Sequence, residues 1–450
     1  MRVIALVDGE HYPPVVRAAL DRLPERIPGA VVVGAALLGG TEKLDVGPPE
    51  LGVPLATGPD PGAALIAGLD AHRPDAVVDL SDEPVVDDRS RLRLACRALL
   101  RGVAYIGADF RFDPPDRPRL ATKPSIAVVG TGKRTGKTAV SAHAARQLAE
   151  TGRPPVVVAM GRGGPAEPEL IDPTVDDLSV AGLLALADHG RHAASDHLED
   201  AILARVATVG TRRCGGGLFG RPFDDTFAAG VALANNRPES LLVFEGSGKA
   251  IPPARADVTI CTVAAGADPE LVAGYAGAYR LLLSDAVVIT MVDEPTARSG
   301  DVVAAETLER SIRDLAPGAR IVHTVFRPKP LIPVAGRRIV FATTAPEWAS
   351  PALRDHIEGE HGGVVVGVSH HLANRPKLRV DLEAMGEADV LLVELKAAAI
   401  DVAARAANQR GMEVVFCDNR VVSVDGEESF EGLVSELADI ATRRYHEAQR

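Results

Sequence analysis

The stretch Gly130-Thr131-Gly132-Lys133-Arg134-Thr135-Gly136-Lys137-Thr138 constrains this chain more than any other, because it joins an apolar β-branched run, Ile126–Val129, to a helical pattern over Thr138–Glu150. Strand, glycine loop and helix start together predict a phosphate-binding loop. Small residues let backbone N–H groups curl around an anion, and the helix dipole favours its negative charge. In that setting Lys137 reaches the β and γ oxygens of ATP, and the Thr138 hydroxyl is a ligand for Mg²⁺. The first glycine stands one residue earlier than in the commonest spacing, at Gly130. The candidate ATP-binding residues are Gly130, Thr131, Gly132, Lys133, Arg134, Thr135, Gly136, Lys137 and Thr138. The competing interpretation is a structural strand-to-helix turn. Lys133 and Arg134 suit a phosphate contact, a second subunit or solvent.

Further apolar runs at Val156–Ala159, Leu241–Phe244, Val258–Thr262 and Val287–Met291 suit a parallel sheet covered on both faces. Upstream, Val3–Val7, Val31–Leu38, Ala76–Leu80 and Val103–Ile106 alternate with helical patterns at Pro14–Leu23, Pro61–His72 and Asp87–Leu100. The proline-rich Asp113–Arg119 reads as a linker. Past Pro333, strand patterns at Ile339–Thr343, Val364–Val368, Val390–Val393 and Val414–Cys417 accompany helices near Ala397–Arg410 and Ser429–Ala448. The expected fold class is α/β. A Rossmann-like N-terminal domain would occupy residues 1–120 and a larger P-loop NTPase core with a mostly parallel sheet residues 121–332. Residues 333–450 would form a C-terminal α/β extension of the catalytic domain.

Composition narrows the function. With 46% hydrophobic and 24% charged residues in 450, the chain has ordinary globular usage. Cys96, Cys214, Cys261 and Cys417 are far apart, which argues against a zinc module or disulfide framework. A net charge of −12 disfavours nucleic acid as a partner and leaves small molecules. No apolar stretch is long enough to span a bilayer and Val3–Val7 is short for a signal-peptide core, so no membrane partner and a cytoplasmic location are expected. Of 8 lysines, Lys123, Lys133 and Lys137 fall in one short segment.

A phosphate loop needs a carboxylate at the end of a neighbouring strand. Leu241–Phe244 ends in Glu245, with Gly246 and Gly248 following, so Lys137 and Glu245 are the candidate catalytic residues and Thr138 and Glu245 the candidate metal ligands. Asp172, Asp176 and Asp177 could supply another carboxylate or cap helices. A phosphorylated acceptor needs further cations, and planar guanidinium groups beside open glycine backbone bind phosphate oxygens well. Arg162, Arg212, Arg213, Arg221 and Lys249 occur in such glycine-rich loops and are the candidate substrate-binding residues, with Arg255 beyond them. Each alone is equally a surface charge.

Gly130-Thr131 with Gly136-Lys137-Thr138, and Glu245-Gly246-Ser247-Gly248, resemble the dethiobiotin synthetase branch of P-loop enzymes, except that Lys249 replaces a final glycine. The resemblance implies activation of a small acid and frequent dimerisation. With Asp8-Gly9-Glu10-His11-Tyr12-Pro13-Pro14, Gly161-Arg162-Gly163-Gly164-Pro165, Glu167-Pro168-Glu169-Leu170 and Arg213-Cys214-Gly215-Gly216-Gly217 added in this order, the whole chain resembles the cyclic 2,3-diphosphoglycerate synthetase family. That resemblance implies a ligase that uses ATP to convert 2,3-diphosphoglycerate into its cyclic pyrophosphate, releasing ADP and phosphate. The expected cofactors are ATP and Mg²⁺, with K⁺ as a candidate further cation, and the expected assembly is a homodimer. The alternatives are an ATP-dependent kinase or ligase for another small acid, or a dimeric P-loop switch ATPase. Among weaker features, His11 reads as a satisfied loop histidine, Asp293 as a base contact or helix start, and Arg327-Pro328-Lys329-Pro330 as a phosphate contact or linker. His370-His371 reads as surface, and Trp348 as packing.

Overall fold

The computed structural model describes residues 1–40, 49–292, 301–396, 398–424 and 428–450. They form two compact units. The first comprises Met1–Asp116, Asp268–Leu283 and Ser311–Pro317; the second comprises Arg117–Ala267, Ser284–Arg310 and Gly318–Arg450. Asp293 lies outside the described residues.

The first unit holds a six-stranded sheet in the order Leu55–Ala56, Val31–Leu37, Arg2–Val7, Ala76–Asp79, Ala104–Ile106, Arg111–Phe112. Only the last pair is antiparallel. Its helices start where the sequence supplies caps: Asp60 accepts the Ala63 N–H ahead of Pro61–His72, and Asp87 accepts the Ser90 N–H ahead of Asp88–Leu100. The winding direction reverses between Arg2–Val7 and Ala76–Asp79, and Asp8 sits just past that point. Its Oδ1 accepts the N–H groups of Glu10 and His11 and lies 2.8 Å from His11 Nδ1, while Oδ2 accepts the Asp82 N–H. His11 is thus held on one ring nitrogen by a buried carboxylate.

The second unit is built on a 13-stranded sheet. Across it run Asp224–Asp225, Thr208–Cys214, Pro155–Gly161, Leu241–Glu245, Ser125–Gly130, Val258–Ala264, Ala286–Thr290, Arg320–Pro330, Glu413–Ser423, Val390–Glu394, Arg338–Ala342 and Val364–Ser369, with Glu169–Ile171 paired beside Thr208–Cys214. The block from Thr208–Cys214 to Arg320–Pro330 is parallel, and its five inner strands, from Pro155–Gly161 to Ala286–Thr290, are almost wholly buried, which is why they are written as continuous apolar runs. The long strand Arg320–Pro330 turns the sheet: its first part pairs parallel with Ala286–Thr290, and Thr324–Pro330 pairs antiparallel with Glu413–Ser423. Arg327–Pro330 is therefore a strand and not a linker. Pro328 and Pro330 are tolerated because the pairing of this strand with Ala286–Thr290 ends at His323, so among the described residues no strand pairs with their other side.

Helix Lys137–Glu150 presents Ala139, Val140, Ala142, Ala144, Ala145 and Leu148 to the sheet core, where small residues allow close helix approach. It stops at Thr151, with Gly152 at φ 80° before Pro154. A second core joins Leu198, Ala201 and Ile202 to Leu372, Leu391, Ala398 and Val402. The expected helix near Ala397–Arg410 is a π-helical stretch, Ala399–Ala404, running into Arg405–Gln409. Trp348, expected as packing, stays 38% exposed in a short 3₁₀ turn.

His143 gives the second unit a pH dependence. It is buried on Lys137–Glu150, edge-on to Phe430, with Nε2 3.1 Å from Glu431 Oε1. Burial pushes its pKa down to about 3, with Arg146, Arg420 and Lys329 repelling a further charge. The ring is neutral at pH 7, so its contact with Glu431 is an N–H···O bond. A folded pKa below the ordinary 6.5 means that the unfolded chain takes up the proton first, so stability is lost as pH falls from 6.5 towards 3. This one group contributes at most about 1.4 kcal/mol per pH unit in that window. Urea midpoints across pH 4–7 are expected to fall less steeply in His143→Gln than in the parent; equal slopes would remove His143 as the cause.

Candidate functional site

Four adjacent strands of the second unit end at one edge, and each carries a candidate residue there. Thr208–Cys214 carries Arg213 as its last residue but one, Pro155–Gly161 is followed by Arg162, Leu241–Glu245 ends in Glu245, and Ser125–Gly130 enters the phosphate loop. Neighbouring strands lie about 4.8 Å apart, so this row spans roughly 14 Å. The carboxyl ends of parallel strands are where open α/β sheets bind ligands.

The loop is held from within. Thr131 N–H donates to Thr262 O, the Thr135 and Thr262 hydroxyls lie 2.9 Å apart, and Lys137 Nζ donates to Gly132 O at 2.7 Å. Gly136, at φ 76°, has the Phe326 ring where a Cβ would stand, so only glycine fits between helix and ring. Lys133 and Arg134 are exposed, whereas Thr131, Thr135 and Lys137 are buried. Burial pushes the Lys137 pKa down to about 8, against the pull of Glu245.

Arg162 and Arg213 converge on one backbone turn. Arg213 donates to Ser247 O at 2.7 Å and to Gly215 O at 2.6 Å, and both guanidinium groups face the position a Cβ would take on Gly248, which stands at φ 62°. Burial lowers the pKa of Arg213, and Arg162 lowers it further, as expected for two cations gathered together. Strand alternation sends Arg212 to the opposite face from Arg213, and it is exposed. Arg221 and Lys249 are exposed; the Arg221 carbonyl closes the loop by accepting the Gly217 N–H. Arg255 precedes Val258–Ala264, at the amino end of the strands and the opposite edge from the phosphate loop, beside Arg119, Asp257 and Arg444.

Glu245 has a partner that the sequence reading missed. Helix Asp196–Ala204 is buried against Lys137–Glu150 and carries Glu199 and Asp200 inward. Asp200 is fully buried, and among the described residues no donor reaches either of its carboxylate oxygens or Glu245 Oε2. Burial and the neighbouring Glu245 hold Asp200 well above the usual carboxylate range, and burial also raises Glu245, with Asp200 and the Thr138 hydroxyl pulling it back. Two carboxylates this close cannot both ionise without a proton or cation between them. The orphaned oxygens and the hydroxyl are hard donors that suit Mg²⁺. Asp172, Asp176 and Asp177 are instead spent locally: Asp172 pairs with Arg237, Asp176 accepts the Asp172 N–H and Asp177 accepts the Ser179 N–H. Their presence in a loop after a strand was the misleading signal; the i, i+3, i+4 spacing of Asp196, Glu199 and Asp200 on one helix face was the usable one.

The C-terminal strands add a cation. Lys396, just past Val390–Glu394, places Nζ 3.3 Å from Glu199 Oε1. Burial opposes its charge, but Glu199 and Glu394 outweigh burial and hold its pKa above the ordinary lysine value. Glu394 is itself fixed by the Thr343 and Thr344 hydroxyls, the Thr344 N–H and the Asn419 amide.

Comparison with known proteins covers the chain end to end. Family models described as cyclic 2,3-diphosphoglycerate synthetase match as an N-terminal domain over residues 2–113, a P-loop domain over 125–325 and a C-terminal domain over 330–420. A cyclic 2,3-diphosphoglycerate synthetase of Rubrobacter xylanophilus is 47% identical over 443 residues, covering 98% of each chain. One of Methanothermus fervidus is 44% identical over 434 residues, covering 94% of each. Among solved structures, LpxK from Aquifex aeolicus in complex with ATP is 11% identical with a TM-score of 0.39, covering 73% of this chain and 90% of that one.

Proposed function

Since the chain belongs to the cyclic 2,3-diphosphoglycerate synthetase family and so catalyses ATP-dependent synthesis of cyclic 2,3-diphosphoglycerate, we propose that the residues gathered at the carboxyl edge of the second unit's parallel strands carry the reaction. The observation that supports this is the row itself: phosphate loop, Glu245, Arg162 and Arg213 on four consecutive strands.

One phosphate of 2,3-diphosphoglycerate attacks the γ-phosphorus of ATP through an oxygen already largely deprotonated at neutral pH. The β–γ bridging bond breaks, ADP leaves, and the attacked group becomes a pyrophosphoryl group on the substrate. An oxygen of the second substrate phosphate then attacks the inner phosphorus, inorganic phosphate departs, and the ring closes. Neither step needs a side-chain base. The demand is charge: two phosphates of one molecule repel each other, and Arg162 and Arg213 offset that repulsion while Lys137 neutralises the transferred oxygens. Thr138, Glu245 and Asp200 would hold Mg²⁺. Bound there, the ion would supply charge neutralisation for the phosphoryl group in transfer. Lys133, Arg134, Arg212, Arg221 and Lys249, all exposed near the same edge, would contact phosphate groups as ATP and substrate arrive. A homodimer is proposed from the likeness to the dethiobiotin synthetase branch, and a cytoplasmic location and K⁺ as a further cation are proposed with it. Among the described residues no helix is long and apolar enough to cross a membrane.

Phosphorus NMR of the protein with ATP, Mg²⁺, K⁺ and 2,3-diphosphoglycerate tests the assignment. A pyrophosphate resonance is expected to grow in step with ADP and phosphate. Arg213→Ala is expected to bind ATP normally and lose turnover; unchanged turnover would remove Arg213 from the acceptor site.

A further inference from the structure

The strand that carries Arg213 runs past its parallel neighbour. Thr208–Cys214 pairs with Pro155–Gly161 as far as Arg212, then turns back through residues 215–223 to pair antiparallel with Asp224–Asp225. The turn is pinned on its returning side, where Phe219, Gly220 and Pro222 are buried and the Ile251 N–H donates to Gly220 O. Its outgoing arm, Cys214–Leu218, is exposed and holds Gly215, Gly216 and Gly217 in succession.

The fold explains only the first of these glycines. Gly215 stands at φ 70°, and the Phe223 Cβ lies 2.7 Å from where its own Cβ would be. Gly216 and Gly217 have no such φ, and a Cβ on them would meet nothing closer than 3.7 Å and 3.5 Å, ordinary contact distances. Alanine would fit at either position, and it would lower the entropy cost of folding. What glycine still offers is a bare backbone that another molecule can approach closely.

Donors are available at that backbone. Among the described residues no acceptor reaches the N–H of Gly215 or of Gly216, whereas the Gly217 N–H is taken by Arg221 O. The sign of φ changes between Gly215 and Gly216, the alternation that lets successive N–H groups converge on an anion. Arg213 lies against the same peptide. Its Nη1 donates to Gly215 O at 2.6 Å and is the atom nearest to a Cβ on Gly216, while its buried Nε has no acceptor among the described residues. Of the carboxylates nearby, Asp225, opposite Arg213, accepts the Phe227 N–H. Burial and Arg162 lower the Arg213 pKa despite the pull of Asp196.

We propose that the run Gly215–Gly217 is a phosphate-binding element of the acceptor site, in which the Gly215 and Gly216 N–H groups and the Arg213 guanidinium together hold one phosphate group of the substrate. This rests on the placement of the acceptor at Arg162 and Arg213 proposed above. Backbone N–H groups are neutral, fixed donors, so they bind phosphate oxygens without adding to the repulsion between the two arginines. An oxygen bonded to Nη1 stands about 2.8 Å from it. A methyl on Gly216, 3.7 Å from the same nitrogen, would compete for that side of the guanidinium.

Gly216→Ala tests this, because the fold accommodates the methyl. Titration calorimetry follows 2,3-diphosphoglycerate binding to the full chain loaded with Mg²⁺ and a non-hydrolysable ATP analogue, with Arg213→Ala measured alongside. Gly216→Ala is expected to unfold at the parent's temperature or slightly above, to bind the analogue as the parent does, and to bind 2,3-diphosphoglycerate on the order of tenfold more weakly or worse. Parent-like affinity in Gly216→Ala with weakened binding in Arg213→Ala would overturn the glycine element and leave the acceptor site where it was placed. Equal affinity in all three proteins would overturn the element and that placement together. A lower unfolding temperature for Gly216→Ala would also overturn the proposal, by making Gly216 a residue that the fold itself requires.

Discussion

Lys137→Ala is expected to lower kcat by about 10²–10³, roughly 3–4 kcal/mol of transition-state stabilisation, the scale found when one preorganised electrostatic contact is removed. Lys137 is buried, donates to Gly132 O and has a pKa drawn down to about 8, so its charge stands in a setting where an arriving phosphate is felt strongly. The loss should fall on kcat more than on the KM for 2,3-diphosphoglycerate, because the contact is to the transferred group and not to the acceptor. Steady-state kinetics with each substrate varied separately checks this. A variant with unchanged kcat and only a raised KM for ATP would show that Lys137 binds nucleotide without assisting transfer.

Asp200→Asn is expected to move stability and metal binding in opposite directions. Replacing one of two facing buried carboxylates relieves a repulsion, so the metal-free variant should unfold at a higher temperature than the parent. The same change removes a hard donor, so the Mg²⁺ or Mn²⁺ concentration for half-saturation should rise about 10–100-fold, read by calorimetry as well as by activity. A variant that is less stable and binds metal as tightly as the parent would make Asp200 a packing residue.

Lys396 should matter to the same measurement through Glu199, the residue beside Asp200. Burial already raises the Glu199 pKa to about 8 against the pull of Lys396, so removing Lys396 is expected to leave Glu199 protonated at neutral pH.

Much of this was legible in the sequence because it is local. The strand–loop–helix around Gly130–Thr138, the strand ending in Glu245, the glycine-flanked Arg162 and Arg213 just ahead of a glycine run are each read within a few residues, since turn chemistry and burial on both faces impose their own composition. Other readings failed where local character was a poor guide. Arg255 has the look of a pocket arginine and lies at the other end of the sheet from the phosphate loop, and Arg327–Pro330 has the composition of a linker and forms a strand. Prolines can enter a strand when a neighbouring strand stops short, and that depends on a partner far away in the chain.

The sequence by itself determined the phosphate loop, the α/β class and the family, because hydrophobic period, glycine placement and motif order survive without knowledge of the partners. Only the tertiary structure decided that Asp200 faces Glu245, that Lys396 reaches Glu199 across 197 positions of chain, and that Arg327 opposes Arg420. Those are pairings between segments distant in sequence. Burial and strand register bring them together, and the energy of a buried charge depends on which partner it meets.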